Sequence, residues 1–246
     1  MLLTIDIGNT SINFGVFKAR VLIKNFSIPT RGYALRDLKK LLAGTAIDEC
    51  IICSVAPPAL SRLKSDLRRV LRIRPYCLGE DIKVPLKNLY RRPRQVGSDR
   101  LVNAFAGIQL YGAPLVVIDF GTAVTFDAIS KRKEYLGGLI LPGLDISLDA
   151  LAERTALLPR VKLNKPGEFI GRDTKESILS GVVYGFAALS DDLVDRLKSR
   201  IGKGAKVIGT GGNIELIKPY CRKIDKIDRD LTLKGLNLLY CYTKLH

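Results

Sequence analysis

One short pattern occurs twice in this chain of 246 residues, and it constrains the fold more than any other feature. Residues 2–10 read LLTIDIGNT and residues 115–122 read LVVIDFGT, so Asp6 and Asp119 stand 113 positions apart, close to half of the chain. Each copy is an apolar strand that ends in Asp, one apolar residue, Gly and then a residue with a hydroxyl or amide group. A repeat at this spacing predicts two copies of one structural unit. We therefore predict two domains, residues 1–113 and 114–246.

The segments between the repeats alternate between strand and helix patterns. Each repeat is followed by a second predicted strand, Ile12 to Phe17 in the first half and Val124 to Ile129 in the second. Further predicted strands cover Val21–Ile28, Cys50–Val55, a short stretch near Tyr76, and Lys206–Ile208. Predicted helices cover about Leu35–Leu42, Pro57–Leu71, Ser98–Leu110, Gly143–Ala152, Thr174–Ser199 and Leu231–Thr243. This alternation predicts an α/β architecture.

The cysteines and the apolar segments indicate a cytoplasmic protein. The five cysteines are an odd number without regular spacing, which argues against a secreted disulfide framework. Cys50 and Cys53 form C-x-x-C within a predicted strand, where residues three apart face opposite sides, so we interpret them as core thiols and not as a redox pair. The N-terminus is too short and polar for a signal peptide. No apolar run approaches the roughly 18 residues of a membrane span, so no membrane partner is expected.

The charge balance restricts the classes of partner. The formal net charge of +16 suits a nucleic acid, an anionic membrane surface or an anionic substrate. The cations are spread along the chain without a helix-turn-helix, zinc-finger or RNA-binding signature, so nucleic acid is not expected as the main partner. The only histidine is His246, which excludes most charge-relay triads and histidine-built metal sites. Proton transfer must therefore fall to Asp, Glu, Lys, Tyr or Cys.

The repeated motif offers the groups that bind the phosphates of a nucleotide. In Asp6–Thr10 and in Asp119–Ala123 a glycine turn follows a carboxylate, so backbone N–H groups can reach phosphate oxygens and the carboxylate can hold Mg²⁺ directly or through water. A hairpin turn capped by Asp would explain either copy alone, and it is the duplication that favours a nucleotide. A third turn, Gly209–Asn213, suits a nucleotide lying against a helix N-terminus. Taken alone, it is better explained as a tight strand–helix connection.

A separate motif, YRRPRQVGSDR over residues 90–100, ends in Gly-x-Asp-Arg at the start of a predicted helix. It places the carboxylate of Asp99 beside the fixed cation of Arg100. The positive helix end and Arg100 would hold an anionic substrate. They would also tend to keep Asp99 ionised, so that it can accept a hydroxyl proton. Without context, an Asp–Arg surface pair capping a helix would be the better explanation.

The three turns together resemble the ATPase superfamily that includes sugar kinases, acetate kinase, actin and heat-shock chaperone ATPases, and the chain has no Walker A motif. Within that superfamily, the chain is similar to the type III pantothenate kinases nearly from end to end. The ordered blocks that carry the resemblance are Asp6–Thr10, Cys53–Pro57, Tyr90–Arg100, Asp119–Ala123, Gly137–Gly143, Thr155–Pro159, and Ile170–Thr174 followed by Ser180 and Gly181.

The resemblance implies a fold, an activity and a set of site residues. The fold would be α/β, with two duplicated actin-like (ribonuclease H-like) domains, mixed central sheets flanked by helices, and a cleft between the domains. The activity would be transfer of the ATP γ-phosphate to the primary hydroxyl of pantothenate, giving 4'-phosphopantothenate in the first step of coenzyme A biosynthesis. Asp99 would be the general base. Pantothenate would be bound by Tyr90, Gly97, Ser98, Asp99, Arg100 and Thr174. ATP would be bound by Asp6, Ile7, Gly8, Asn9, Thr10, Ser11, Ile12, Asn13, Thr122, Gly211 and Gly212.

The same resemblance implies the cofactors and the assembly. ATP would act with Mg²⁺, which Asp6 would hold through water, and a monovalent cation, potassium or ammonium, would lie at Asp119. The family is homodimeric with pantothenate at the subunit interface, which would let Thr174 act across that interface.

Departures from the family pattern keep other functions open. Asn213 and Ile214 stand where small or apolar residues are more usual, Asp173 replaces a commoner Asn beside Thr174, and the net charge is unusually basic. One alternative is a kinase of the same fold that acts on another small anionic substrate. The other is a non-catalytic accessory regulator of transcription, since some relatives have been described in that role. The intact set of Asp6, Asp99 and Asp119 argues for catalysis.

Overall fold

The computed structural model describes residues 1–245, which form seven α-helices and ten β-strands. The strands are β1 (Leu2–Ile7), β2 (Ser11–Lys18), β3 (Val21–Pro29), β4 (Glu49–Ser54), β5 (Tyr76–Cys77), β6 (Leu115–Phe120), β7 (Ala123–Ile129), β8 (Tyr135–Pro142), β9 (Lys206–Thr210) and β10 (Lys226–Ile227). The helices are α1 (Leu35–Leu42), α2 (Pro57–Leu71), α3 (Ser98–Tyr111), α4 (Leu144–Arg154), α5 (Thr174–Ile201), α6 (Ile214–Ile217) and α7 (Leu231–Leu245).

The two halves of the chain build sheets of the same topology. The first sheet has the strand order β3-β2-β1-β4-β5 and the second has the order β8-β7-β6-β9-β10. In each sheet the first three strands along the chain pair antiparallel as a meander, and the last two continue the sheet in parallel. The central strands β1 and β6 are the two copies of the repeated motif. The predicted duplication and the predicted α/β class are therefore confirmed.

The first sheet belongs to a compact unit, unit 1, that comprises Met1–Leu86, Arg91–Gln109 and the chain from Asp230 onward. One face of this sheet packs on α1 and α2 through a buried apolar cluster that includes Cys50. The other face packs on α3 and α7 through a cluster that includes Cys53. The two thiols thus lie on opposite faces of β4, which confirms that they are separate core residues.

The second sheet belongs to unit 2, which comprises Lys87–Tyr90 and Leu110–Arg229. Its core joins the sheet to α4, α5 and α6. Contrary to the expectation from sequence, α5 is long and apolar enough to cross a membrane, by length and composition only. Half of its most apolar stretch is buried inside the structure, which is the pattern of a core helix. Its buried Asp191 accepts hydrogen bonds from the backbone N–H groups of Arg222 and Lys223.

The units differ from the predicted division after residue 113 at three places, the smallest of which is that residues 110–113 belong to unit 2. Residues 87–90 belong to unit 2, where the backbone of Leu89 donates to the carbonyl of Tyr135 on β8. Helix α7 belongs to unit 1, because its buried Leu233, Leu236 and Leu239 cover the face of the first sheet that α3 leaves open. A division of the chain into two continuous segments cannot include this return of the C-terminal helix to the first unit.

Candidate active site

The turn between β1 and β2 is held in a fixed shape by the end of β3. The backbone N–H of Gly8 donates to the carbonyl of Ser11 at 2.9 Å, which closes the turn. The hydroxyl of Thr30 donates to the carbonyl of Gly8 at 2.8 Å, and the N–H of Thr30 donates to the carbonyl of Thr10 at 2.9 Å. Asn9 and Thr10 are exposed at the tip of this turn. Ile7 and Ile12 are fully buried in the core, so only their backbone is available to a ligand.

The carboxylate of Asp6 lies at the end of β1, between the neighbouring strands. In the sheet, Asp6 is opposite Asn13 of β2 and Cys53 of β4. The side-chain amide of Asn13 donates to Asp6 Oδ2 at 3.4 Å. Among the predicted site residues, Asp6 and Asn13 therefore form one group with the turn that follows them.

The start of α3 is hydrogen-bonded to the end of β4, and this places Asp99 close enough to Asp6 for the two charges to interact. Ser98 Oγ lies 3.1 Å from Cys53 Sγ and donates to the carbonyl of Ser54 at 3.3 Å. Next to it, Asp99 is half-buried and its Oδ1 accepts from the backbone N–H of Arg100 at 2.8 Å. Gly97, Ser98, Asp99 and the buried Arg100 are thus held beside the β1 carboxylate, in the same unit.

Burial raises the pKa of both carboxyl groups. Burial and the negative charge of Asp99 together raise the pKa of Asp6 to about 7, against a smaller lowering by the hydrogen bond from Asn13. The pKa of Asp99 is raised by burial, and the N–H and charge of Arg100 only partly offset this effect. The expectation that Arg100 and the helix end would keep Asp99 ionised is therefore wrong in one respect, because burial has the larger effect and raises the pKa. A raised pKa brings a carboxylate closer to the operating pH and makes it a stronger base.

The raised pKa of Asp6 predicts a specific pH dependence of stability in the metal-free and nucleotide-free protein. Between about pH 4 and pH 7 the folded protein retains a proton on Asp6 that the unfolded chain has lost, so the contribution of Asp6 to the free energy of unfolding falls as the pH rises. Asp6→Asn removes this titration. We expect the variant to gain stability relative to the wild type across that interval and to level off above it. Denaturant unfolding at several pH values measures this difference, and a difference that does not vary with pH would contradict it.

Cys53 lies beside both carboxylates but is unsuited to be a nucleophile. Burial raises its pKa well above the usual range, and the charges of Asp6 and Asp99 raise it further. The thiol therefore stays protonated at neutral pH, and the thiolate is the reactive form. Its contact with Ser98 indicates that it helps to position the start of α3.

In unit 2, the turn after β6 is joined directly to the start of α4. Gly143, which precedes α4, donates its N–H to the carbonyl of Thr122 at 3.1 Å. A Cβ added at Gly143 would collide with this carbonyl, so only glycine permits such a close approach. Thr122 is exposed at the tip of the β6–β7 turn.

The glycine-rich turn after β9 lies against the same β6–β7 turn. Gly211 adopts a φ of +96°, and a Cβ at this position would collide with Asp119 Oδ1 and would lie 2.6 Å from backbone atoms of Phe120. Asn213 donates its backbone N–H to the carbonyl of Phe120 at 3.0 Å. Asp119 is opposite Thr125 of β7 and Thr210 of β9, as Asp6 is opposite Asn13 and Cys53 in the first sheet. The structure thus brings four of the predicted site residues together in unit 2: Asp119, Thr122, Gly211 and Gly212.

The remaining predicted residues lie elsewhere on the two units. Tyr90 is half-buried, with its ring against the backbone of Gly137 on β8 in unit 2. Thr174 is the exposed first residue of α5. Asp173, which departs from the family pattern, accepts from the N–H of Glu176 at 2.9 Å and so caps this helix, a role for which Asp and Asn are equally suited.

Thr30 and Asp145 also border these turns, although neither was predicted as a site residue. Thr30 fixes the first turn from β3, and Asp145 accepts a hydrogen bond from the side chain of Asn213 at 3.1 Å. Neither residue stands in a motif with a phosphate-binding pattern, so only the fold reveals that they border these turns.

Several solved structures have a similar fold. A Campylobacter jejuni protein, provisionally described as a Baf family transcriptional activator, superposes with a TM-score of 0.64 at 21% identity and covers 99% of this chain and 100% of its own. The Clostridium difficile activator of 2-hydroxyisocaproyl-CoA dehydratase, solved with bound ADPNP, superposes with a TM-score of 0.57 at 12% identity, covering 99% of this chain and 96% of its own. At these identities the likeness shows the fold alone, which is that of the actin-like ATPases.

Sequence comparison identifies the family. A type III pantothenate kinase of Syntrophus aciditrophicus (strain SB) is 41% identical over 250 residues, covering 98% of both chains. The enzyme of the same name from Myxococcus xanthus (strain DK1622) is 38% identical over the same length and coverage. The family pattern of these kinases matches residues 2–196. The chain that carries the turns after Asp6 and Asp119, the glycine-rich turn and the Asp99 helix therefore belongs to the type III pantothenate kinase family.

Proposed function

We propose that this protein is an ATP-dependent pantothenate kinase that transfers the γ-phosphate of ATP to the primary hydroxyl of pantothenate. The product would be 4'-phosphopantothenate, the first intermediate on the way to coenzyme A. The observation that carries the proposal is the half-buried carboxylate of Asp99, which has a raised pKa and lies at the start of α3 in the range of Asp6 and its phosphate-binding turn.

Asp99 is the general base in this proposal. Its Oδ1 is anchored by the N–H of Arg100, so the carboxylate has a fixed orientation from which its second oxygen can accept the proton of a hydroxyl group. The adjacent positive charge of Arg100 and the N-terminus of α3 favour an anionic substrate, and pantothenate carries one carboxylate. Tyr90, Gly97, Ser98 and Thr174 complete the proposed substrate-binding set.

The two repeated turns bind the phosphates of ATP in this proposal. The β1–β2 turn presents Asn9 and Thr10 at its tip, and the β6–β7 turn presents Thr122. Both turns are fixed by hydrogen bonds to neighbouring elements before any ligand binds. In phosphoryl transfer the protein acts mainly by positioning groups and by stabilising charge, and pre-formed turns serve both purposes. Gly211 and Gly212 would lie against the nucleoside.

The donor set at each carboxylate fits a hard cation. Burial and the negative charge of Asp99 raise the pKa of the Asp6 carboxylate, and Asn13 adds a neighbouring amide. Oxygen donors of this kind suit Mg²⁺, which is held through water in many phosphate sites. Asp119, between Thr125 and Thr210, is the carboxylate proposed for potassium or ammonium. A bound cation would neutralise phosphate charge at these positions.

Asp119→Ala should raise the concentration of potassium that half-activates the enzyme. The reason is that the variant removes the one carboxylate proposed for that ion while the rest of the turn keeps its hydrogen bonds. Turnover measured over a potassium series checks the prediction, with Asp149→Ala on α4 as a control that removes a carboxylate already paired with Arg160. A half-activating concentration unchanged in Asp119→Ala would count against the assignment.

The exposed apolar side chains of unit 2 support the proposed homodimer. Strand β8 is an edge strand of the second sheet, and 61% of Ile140 and 39% of Leu136 are exposed on it. Beside the start of α5, 67% of Phe169 and 75% of Ile170 are exposed. Apolar surface of this kind is typical of a surface that another chain covers. Thr174 stands four residues after Ile170, consistent with its proposed action at a subunit interface.

An assay of ADP release tests the function most simply. ATP turnover is measured with and without pantothenate and with and without potassium, and a panel of other small hydroxylated or carboxylated substrates replaces pantothenate in parallel. We expect turnover to require pantothenate and potassium together. Turnover with a different member of the panel but not with pantothenate would instead support a same-fold kinase for that substrate.

One observation favours a second candidate, an accessory regulator that binds nucleic acid. The only acid of α2, Asp66, is buried and accepts from the hydroxyl of Tyr33 at 2.9 Å, so the exposed charged residues of this helix are all basic. A cavity of about 520 Å³ on this face is lined by Ser61, Lys64, Ser65, Arg68 and Arg69. Arginine and serine side chains suit the phosphate backbone of a nucleic acid. Salt-dependent DNA binding without ATP turnover would favour this candidate.

A further inference from the structure

The side chains of Asn213 and Asp145 join two turns of unit 2 that the ATP proposal already uses. Asn213 ends the glycine-rich turn after β9, and Asp145 lies in the first turn of α4, two residues after Gly143. Asn213 Nδ2 donates to Asp145 Oδ2 at 3.1 Å. Through Gly143 and through the backbone of Asn213, both partners are also tied to the β6–β7 turn.

The chemistry of this pair leaves two hydrogen-bond acceptors side by side. An ionised carboxylate can only accept, so the amide nitrogen of Asn213 must face Asp145 and the amide oxygen must face away. Asp145 Oδ1 then keeps its full capacity to accept, as does Asn213 Oδ1. Two adjacent acceptors, one of them charged, are complementary to two adjacent hydroxyl donors.

The pair borders open space at the backbone of the proposed nucleoside turn. Apart from Gly212 and its two chain neighbours, no residue has an atom within 4 Å of the position that a Cβ on Gly212 would occupy, and both Gly212 and Asp145 are exposed. A nucleoside resting on Gly211 and Gly212 would present a vicinal diol on its ribose at this place. Carboxylates that bind ribose hydroxyl groups beside a glycine-rich turn are a recurring solution in nucleotide sites.

We propose that Asp145 binds the ribose 2'- and 3'-hydroxyl groups of ATP, and that Asn213 both orients Asp145 and accepts from one of the hydroxyls. This inference rests on the proposed kinase function, because it assigns the ribose part of the same nucleotide. It also gives a role to Asn213, which departs from the family pattern at this position. The ligand class is a ribonucleotide, and the group recognised is its cis-diol.

A purely structural role accounts for less of the geometry. The backbone of Asn213 is already fixed, since its N–H donates to Phe120 and its carbonyl accepts from Leu216 and Ile217. A hydrogen bond between two side chains at the surface adds little to stability. Asp145 would also suit the N-terminus of α4 as an isolated charge without any partner. The side-chain bond is needed only if the orientation of the carboxylate matters.

The test compares ADP with 2'-deoxy-ADP and 3'-deoxy-ADP by calorimetric binding, and compares the corresponding triphosphates in turnover. The wild type should bind ADP about tenfold or more tightly than either deoxynucleotide, the range expected for one hydrogen bond to a charged group. Asp145→Ala should remove this preference, because it weakens the binding of ADP, which offers both hydroxyl groups to Asp145, more than the binding of either deoxynucleotide, which offers only one. Asn213→Ala should reduce the same preference. Asp149→Ala, on the exposed surface of the same helix, should keep it.

Each outcome decides between the two proposals. A wild type that does not distinguish ADP from the deoxynucleotides would overturn the ribose assignment, as would a preference that survives in Asp145→Ala. Loss of the preference in Asp145→Ala, with thermal unfolding as in the wild type, would support it. Nucleotide binding with this preference but without pantothenate-dependent turnover would refute the kinase proposal and uphold the ribose site. A wild type that binds none of the nucleotides would refute both.

Discussion

Asp99→Asn should lower kcat by about 10²–10⁴-fold, which is the usual contribution of a general base. The amide has nearly the same shape as the carboxylate, and its Oδ1 can still accept from the N–H of Arg100, so the start of α3 should keep its structure. What is lost is the ability to take a proton from the substrate hydroxyl. ATP should bind as in the wild type, because the proposed nucleotide groups are untouched.

Two measurements separate this role from a general loss of structure. Steady-state turnover with pantothenate gives kcat, and calorimetry gives the dissociation constant of ATP for the same preparation. Glu80→Gln serves as the matched control in unit 1, since it neutralises an exposed carboxylate paired with Lys64 and should leave kcat unchanged. If Asp99→Asn turned over at the rate of the wild type, Asp99 would not be the base.

Gly211→Ala should lower the stability of the protein and Gly212→Ala should leave it unchanged, although the two residues are neighbours. At Gly211 the backbone has a φ of +96°, and a methyl group would collide with Asp119 Oδ1 and press on the backbone of Phe120. The strain alone costs about 1–2 kcal/mol, and the collision adds to it. We expect Gly211→Ala to lose about 2 kcal/mol or more, which lowers the midpoint of thermal unfolding by roughly 4–8 °C.

At Gly212 a methyl group would meet no atom within 4 Å beyond the residue itself and its two chain neighbours. Gly212→Ala should therefore unfold at the same temperature as the wild type. Its methyl group would instead occupy space proposed for the nucleoside, so its KM for ATP should rise. Calorimetric unfolding and steady-state kinetics on both variants measure these effects. Equal unfolding temperatures for Gly211→Ala and the wild type would show that the turn is not packed on the β6 carboxylate.

The repeat in the sequence was enough to predict the duplicated sheets, because an apolar strand with its turn has the same form wherever it occurs. It did not predict β8, the third strand of the second meander, since Gly137 and Gly138 weaken its strand pattern. It also could not place α7. The apolar face of that helix fits either sheet in principle, and only packing against Leu2, Phe17 and Ile51 assigns it to unit 1.

The candidate site was predictable where chemistry follows from short motifs and unpredictable where it depends on distance in space. Asp6, Asp99 and Asp119 were found because each stands next to a turn or helix start. The raised pKa of Asp99 was not predicted. The sequence shows the neighbouring Arg100, which lowers the pKa, but not the burial, which raises it by more. The pairing of Asp145 with Asn213 spans 68 residues and was likewise invisible.

The most direct test of the account is to follow the phosphoryl group itself. Wild-type protein and Asp99→Asn are incubated with γ-³²P-labelled ATP, pantothenate, Mg²⁺ and potassium, and the labelled products are separated and identified. We predict that the label appears as a monoester on the primary hydroxyl of pantothenate with the wild type, and that its rate of appearance falls at least a hundredfold with Asp99→Asn. Label released only as inorganic phosphate, or transferred equally fast by the variant, would contradict the account.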